Sequence, residues 1–326
     1  MLFDATLSLA GEMHLFFITA LDRINGFFKM YCIKTKRLTL ELGIVPVAVL
    51  LQHEQVIPHK AGRLTYEFKN LAHLQNPVIV DENHVVLDGN HRTHVFKALN
   101  FRYIPVCKID YLNDNTKLRC WFRLLGHIPN IDIIKNTFES SGCRIHPVPD
   151  KSALMEALEA NTNACGIQRT DDFIFIEFPE CVSQDAVRAY DLLQQIQQKL
   201  LSKEISLDYI PCNAVHSEQF CQKLHTSEAV VWTPRLTKKI VIASAKKKMM
   251  FAPKTTRHVI PARPLNVNVP GYWLKEDVSL KEINQRFEKF LHSKQIRRFG
   301  PGQVIDGRYY EEELFVFFGL PRKGSQ

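Results

Sequence analysis

None of the eight cysteines stands in a Cys-x-x-Cys pair or beside histidines at zinc-ligand spacing, which argues against structural zinc and a disulfide framework. Scattered thiols in a chain of this size read as a reducing compartment, most simply the cytosol. Also missing is an uninterrupted apolar stretch of the ~20 residues that a bilayer requires. The most apolar candidate, Leu2 to Phe28, is broken by Glu12, Asp22 and Arg23, and it lacks the basic start and small-residue cleavage site of a secretory signal; no membrane association is expected. There is no internal repeat and no low-complexity tract, and nothing in the pattern fixes an oligomeric state. What the chain has in quantity is charge. Forty-two Lys and Arg against 34 Asp and Glu leave +8 over 326 residues, a balance that suits an anionic ligand such as a nucleotide and would also suit nucleic acid. The cations are dispersed apart from Lys246-Lys247-Lys248, which follows a predicted helix over Thr237 to Ala245 and reads as a solvated helix end. The length allows two or three domains and a sizeable core.

The most informative segment runs from Pro77 to Val106. Val78-Ile79-Val80 and Val85-Val86-Leu87 are aliphatic triplets separated by the polar Asp81-Glu82-Asn83-His84, which predicts a hairpin-like pair of strands. Asp88-Gly89 follows, and Gly89 lets the backbone turn sharply. From Asn90 onward Val95, Phe96 and Leu99 recur at helical spacing, so Asn90, His91 and Arg92 fall in the first turn of a helix. Unpaired backbone N–H groups and the positive dipole end meet there, and Arg92 adds a planar donor fork suited to phosphate oxygens. Alone, an Asp-Gly turn of this kind is also an ordinary strand-to-helix connection.

Two further motifs flank it. Upstream, His53-Glu54 lies in Leu50 to Pro58, ahead of a predicted helix over Leu64 to Leu74. Downstream, Lys254-Thr255-Thr256-Arg257-His258 gathers hydroxyls, cations and a histidine in a proline-bounded stretch reaching Arg263-Pro264. The three motifs in this order resemble those of the free serine kinases of the ParB/sulfiredoxin-like superfamily, including the siderophore-biosynthesis branch. That family carries a His-Glu pair, an Asp-Gly-His-His-Arg turn and a Ser-Thr-Arg-His segment. The likeness runs from about Val45 to Phe318. Asn90 stands where the family has the first His of the pair, removing a titratable group at the turn; Thr255 replaces Ser and keeps the hydroxyl.

The resemblance implies an α/β fold: a ParB/sulfiredoxin-like nucleotide-binding domain over residues 43–130, a second α/β domain over 131–326, and a ligand cleft between them. Residues 1–42 are read as an N-terminal extension, with translation starting at Met30; native peptides from Leu2 to Lys29 would rule that start out. The implied activity is transfer of a phosphoryl group from ATP or ADP to free L-serine, with Mg2+ as cofactor. Glu54 is then the catalytic base and Asp88 the magnesium ligand. Gly89, Asn90, His91 and Arg92 bind nucleotide phosphate, and Thr255, Thr256, Arg257 and His258 bind the product phosphate. A sulfiredoxin needs a thiolate where Asn90 stands, and a ParB partition protein needs a helix-turn-helix pattern that is missing after Tyr111. The alternative from another class is a ParB-like DNA-binding regulator of a siderophore or related locus.

Elsewhere, Leu118–Leu125 and Asp132–Glu139 are predicted helical, as are Ser152–Glu159 and Gln184–Leu201. Ile145–Val148, Phe173–Ile176 and Val230–Trp232 are predicted strands, and Thr233-Pro234 is predicted to start the helix that follows.

Overall fold

The protein is described by a computed structural model that covers residues 30–170 and 172–319. The expectations for residues 1–29 lie outside the described residues. Three sheets of three or more strands succeed one another among the described residues. The first contains β1 (Tyr31–Lys34), β2 (Thr39–Pro46), β3 (Val78–Val80), β4 (Val86–Asp88) and β5 (Tyr103–Lys108), in the order β1-β2-β5-β3-β4. β3 runs parallel to β5, and the other neighbours are antiparallel. Val78, Ile79 and Val80 are buried without exception, as expected of an interior strand covered on both faces. Helices α1 (Pro58–Phe68) and α2 (Asn90–Ala98) pack against each other beside this sheet, with Phe68 set edge-on against Phe96.

The second sheet uses β6 (Lys117–Gly126), β7 (Arg144–Val148), β8 (Cys165–Arg169), β9 (Asp172–Glu177), β10 (Ser206–Pro211), β11 (Ala229–Trp232) and β12 (Thr256–Val259). Its order is β10-β6-β11-β8-β9-β7, and β12 pairs with the first half of β6. Helices α3 (Ile131–Glu139), α4 (Lys151–Ala160), α5 (Ala186–Leu201) and α6 (Lys238–Lys246) accompany it. Side-chain oxygens of Asn130, Asp150, Asp185 and Thr237 accept N–H bonds at their starts, caps worth about 1 kcal/mol each. The third sheet, β13 (Ala262–Leu265), β14 (Lys294–Phe299) and β15 (Glu313–Gly319), has the order β13-β15-β14. Its helix α7 (Leu280–His292) ties back to the first sheet: the Asn284 side chain accepts from Ile44 N–H and donates to Ile44 O, each at 2.8 Å.

Three local expectations are corrected. Leu118–Leu125 is not a helix but most of β6; Leu118, Phe122 and Leu125 mimic helical spacing, while the segment alternates faces as a strand. The second sheet therefore begins at Lys117, inside the segment assigned to the first unit. The predicted helix over Leu64 to Leu74 is shifted to Pro58–Phe68, with Pro58 at its first turn, and Leu74 pairs with Val269 as a short strand. Thr233-Pro234 does not open a helix, because the Pro234 carbonyl accepts the Tyr190 hydroxyl at 2.7 Å; Thr237, four residues on, caps α6 through Ile240 N–H.

Candidate active site

Backbone hydrogen bonds stitch the His53-Glu54 segment between two parts of the chain. On one side Leu51 N–H donates to His84 O and Val86 N–H to Leu51 O, both at 2.9 Å, fastening the segment to the β3–β4 hairpin. On the other, Gln55 N–H donates to Phe251 O at 2.9 Å and Phe251 N–H to His53 O at 2.8 Å. Glu54 is thus presented to the residues that lead into β12. Its Oε1 accepts Lys254 N–H at 2.9 Å; its Oε2 accepts Thr256 N–H at 2.9 Å and the Thr256 hydroxyl at 2.8 Å. Burial nonetheless dominates and raises the Glu54 carboxyl above the ordinary glutamate range, with these donors pulling the other way. Since the Thr256 hydroxyl donates to Glu54, its oxygen accepts from His53 Nε2 at 2.9 Å, which assigns the proton of the neutral ring to that nitrogen. Burial and the charge of His258 push His53 down to about 3, so it is neutral near pH 7.

The turn after β4 lines the same cavity as this carboxylate. Gly89 has φ of 108° and forms the left-handed entry to α2; a Cβ there would meet Val78 Cγ2 and Arg92 Nη2 at 3.0 Å. The first intrahelical bond is Thr93 N–H to Gly89 O at 2.9 Å, so the amides of Asn90, His91 and Arg92 precede the helical ladder. His91 Nε2 accepts Ile57 N–H at 3.0 Å, pinning the loop behind Glu54 to the helix start. Burial and neighbouring Lys60 and Lys254 lower the His91 pKa. Arg92 Nη1 donates to Pro77 O at 3.1 Å and Nη2 lies 3.7 Å from Asp88 Oδ2. The side-chain Oδ1 of Asn90 is buried and has no hydrogen-bond partner among the described residues.

Glu54, Asp88, Gly89, Asn90, His91, Arg92 and Thr256 all line one cavity of about 890 Å³, together with Lys60, Trp121, Lys254, Arg263 and Arg308. The cations in this wall outnumber the carboxylates and suit a polyanion. Asp88 itself is held by Arg263, whose Nη1 donates to Oδ2 at 2.7 Å while its Nε bonds Glu312. Burial alone would raise the Asp88 carboxyl; the Arg263 and Arg92 guanidiniums override it and hold it well below the usual carboxylate range.

The segment 255–258, expected to bind phosphate as a unit, is divided by its own geometry. The Thr255 hydroxyl donates to Ala252 O at 2.7 Å and the residue is fully buried. Strand alternation along β12 sends Thr256 to Glu54, while Arg257 pairs with Glu311 at 3.0 Å. His258 hydrogen-bonds the Tyr111 hydroxyl at 2.9 Å, and burial lowers it to about 4. Of the four, Thr256 alone lines the cavity among the described residues. The cavity gains in their place residues that the motifs did not single out. Arg263 sits 175 positions from Asp88, and Trp121 was concealed in a strand read as a helix; its indole N–H donates to Thr256 O at 3.1 Å, and Lys254 Nζ lies 4.6 Å from its ring centroid.

No protein-family model matches the chain. An ATP-dependent L-serine kinase of Staphylothermus marinus is 26% identical over 241 residues, which cover 71% of this chain and 90% of the relative. A solved structure of a free serine kinase in complex with AMP aligns with a TM-score of 0.56 at 19% identity, over 72% of this chain and 93% of its own. SbnI with C-terminal truncation, from Staphylococcus aureus, aligns with a TM-score of 0.60 at 18% identity, over 77% of this chain and 95% of its own. The structural likeness bears out the mixed α/β fold over most of the described chain. The chain is thus similar in sequence to an L-serine kinase and in fold to free serine kinases and SbnI, and its Asp88-to-Arg92 turn lines one cavity with Glu54.

Proposed function

We propose that this protein transfers the terminal phosphoryl group of ATP or ADP to the hydroxyl of free L-serine, giving O-phospho-L-serine. The observation that carries the reading is that a carboxylate with a raised pKa and a helix start carrying Arg92 line one cavity. Phosphoryl transfer asks a protein for charge neutralisation, alignment and a proton acceptor more than for covalent chemistry. Glu54, whose burial makes its anion more basic, accepts the hydroxyl proton as oxygen attacks phosphorus. Thr256 and the Lys254 amide fix the direction of that carboxylate, so Thr256 orients the base. The amides of Asn90, His91 and Arg92 receive nucleotide phosphate at the N-terminus of α2, with the ammonium groups of Lys60 and Lys254 nearby in the same wall.

Magnesium beside a nucleotide takes one or two protein carboxylates and completes its shell with phosphate and water oxygens. Asp88 and the orphaned Asn90 Oδ1 are the hard oxygen donors that fit such an ion, which when bound neutralises phosphate charge. Arg263 and Arg92 keep Asp88 ionised for that role.

The test is incubation of the purified chain with Mg2+, ATP or ADP and a panel of amino acids, followed by phosphorus NMR. A phosphomonoester that forms only with serine is the expected result. No turnover with any acceptor, combined with salt-dependent binding that prefers one DNA sequence over bulk DNA, would move the reading to a regulator.

A further inference from the structure

A second cavity, of about 310 Å³, shares no lining residue with the first. Strand alternation explains the division: Trp121 lies on one face of β6, and Cys120 and Phe122 lie on the other. Cys212 continues the register of β10 against β6. Pro211 opposes Trp121, and Cys212 N–H donates to Cys120 O at 3.2 Å, so the two cysteines stand directly opposite each other. Opposed residues of antiparallel strands project from the same face, and a hydrogen-bonded pair has Cα atoms roughly 5.5 Å apart, inside the ~4.4–6.8 Å range that a disulfide spans. Both thiols line the cavity and both are partly exposed, whereas Cys107, Cys143 and Cys165 are buried. The Cys120 thiol interacts with Cys212 sulfur, and with the charge of Arg119 it lowers the Cys212 pKa, while Cys120 is raised in return. A soft-metal site would need further ligands, and no cluster of three or more His, Cys, Asp or Glu suited to a metal exists among the described residues.

We propose that Cys212 and Cys120 form a hydroperoxide-reactive dithiol, with Cys212 the attacking sulfur and Cys120 the resolving one. In the first step the Cys212 thiolate attacks one oxygen of hydrogen peroxide. The O–O bond breaks, hydroxide leaves, and the sulfur becomes a sulfenic acid, oxidised by two electrons as the peroxide is reduced. In the second step Cys120 sulfur attacks Cys212 sulfur. The S–O bond breaks, the disulfide forms, and the departing hydroxide takes the Cys120 proton as water.

The pair adjoins the other cavity through the backbone. Cys120 is the register partner of Thr256, whose amide and hydroxyl hold Glu54. Cross-linking is therefore expected to slow turnover reversibly, an effect that rests on the kinase reading.

The experiment treats the reduced full chain with stoichiometric hydrogen peroxide and follows free thiols and digested peptides by mass spectrometry. The expected result is loss of two thiols per chain, a linked Cys120–Cys212 peptide, and reversal by dithiothreitol. Cys120→Ser is expected to stop at a sulfenic acid on Cys212 that dimedone traps; Cys212→Ser is expected to abolish both products. Thermal transitions show whether each variant is folded, and the linked peptide in the unmutated chain decides the matter without them. Peroxide that consumes other cysteines while Cys120 and Cys212 stay unmodified would overturn the proposal, as would a Cys212→Ser chain that loses two thiols at the original rate. Unchanged serine phosphorylation by fully cross-linked protein would overturn the link to Glu54 and leave the thiol chemistry standing.

Discussion

Two of the carboxylates that line the cavity, Glu54 and Asp88, are treated in opposite ways. Glu54 is hydrogen-bonded by neutral donors, the amides of Lys254 and Thr256 and the Thr256 hydroxyl, and burial raises its pKa. Asp88 meets the guanidiniums of Arg263 and Arg92, and its pKa falls. Hydrogen bonds from uncharged groups orient an anion without quenching its basicity, whereas full countercharges hold it ionised and nearly inert as a base. In the proposed reaction the contrast divides the labour between a base, Glu54, and a fixed charge, Asp88.

The largest effect should come from removing the base. Glu54→Gln keeps the side-chain shape and one of the two acceptor oxygens used by Lys254 and Thr256, so nucleotide affinity should hold while turnover of serine drops by about 10²–10⁴-fold. Normal serine phosphorylation by this variant, measured alongside calorimetric nucleotide binding, would erase the contrast. Next comes Arg263→Met, which strands Asp88 with half its countercharge; breaking a pair of this kind costs on the order of 3 kcal/mol. Urea unfolding of Arg263→Met should show that loss, and the added change Asp88→Asn should recover part of it. Gly89→Ala forces a Cβ into left-handed backbone between Val78 and Arg92, at about 1–3 kcal/mol, and should weaken nucleotide binding more than it slows bound turnover.

Acidity provides the smallest and most graded test. His53, fully buried, has its pKa depressed to about 3, below the unfolded value near 6.5. The unfolded chain therefore binds the proton first, and stability is lost as pH falls from about 6.5 toward 3, by up to about 1.4 kcal/mol per pH unit for this one group. His258, lowered to about 4, adds to the same acid slope. Denaturant midpoints between pH 7 and pH 5 should decline, and a His53→Gln chain should show a shallower decline.

Much of this arrangement was legible in local pattern. The aliphatic triplets around Asp81–His84 became the β3–β4 pair, and the Asn90 helix starts at the glycine turn as expected. Glu54 could be singled out only by its place in a motif, since nothing near it in sequence announces the amides of residues 254 and 256 that cradle it. Arg263 escaped for the same reason: its pairing with Asp88 is created by the third sheet meeting the first. The misread of β6 was a matter of period, because Leu118, Phe122 and Leu125 satisfy helical spacing while the chain uses alternation, and with it went Trp121. Thr255 and His258 show the complementary limit. A run of four polar residues looks like a single site until strand geometry and a backward-turned hydroxyl distribute them between cavity and core.

Carbon NMR titration of the Glu54 and Asp88 side-chain carboxyls in the folded protein, assigned by comparing Glu54→Gln and Asp88→Asn, tests the central contrast most directly. Glu54 should titrate above the ordinary glutamate range and Asp88 below the ordinary aspartate range, with the acid limb of kcat/KM following Glu54. Glu54 titrating at or below its ordinary value would contradict the assignment of a desolvated base, and Asp88 titrating at its ordinary value would contradict the guanidinium clamp.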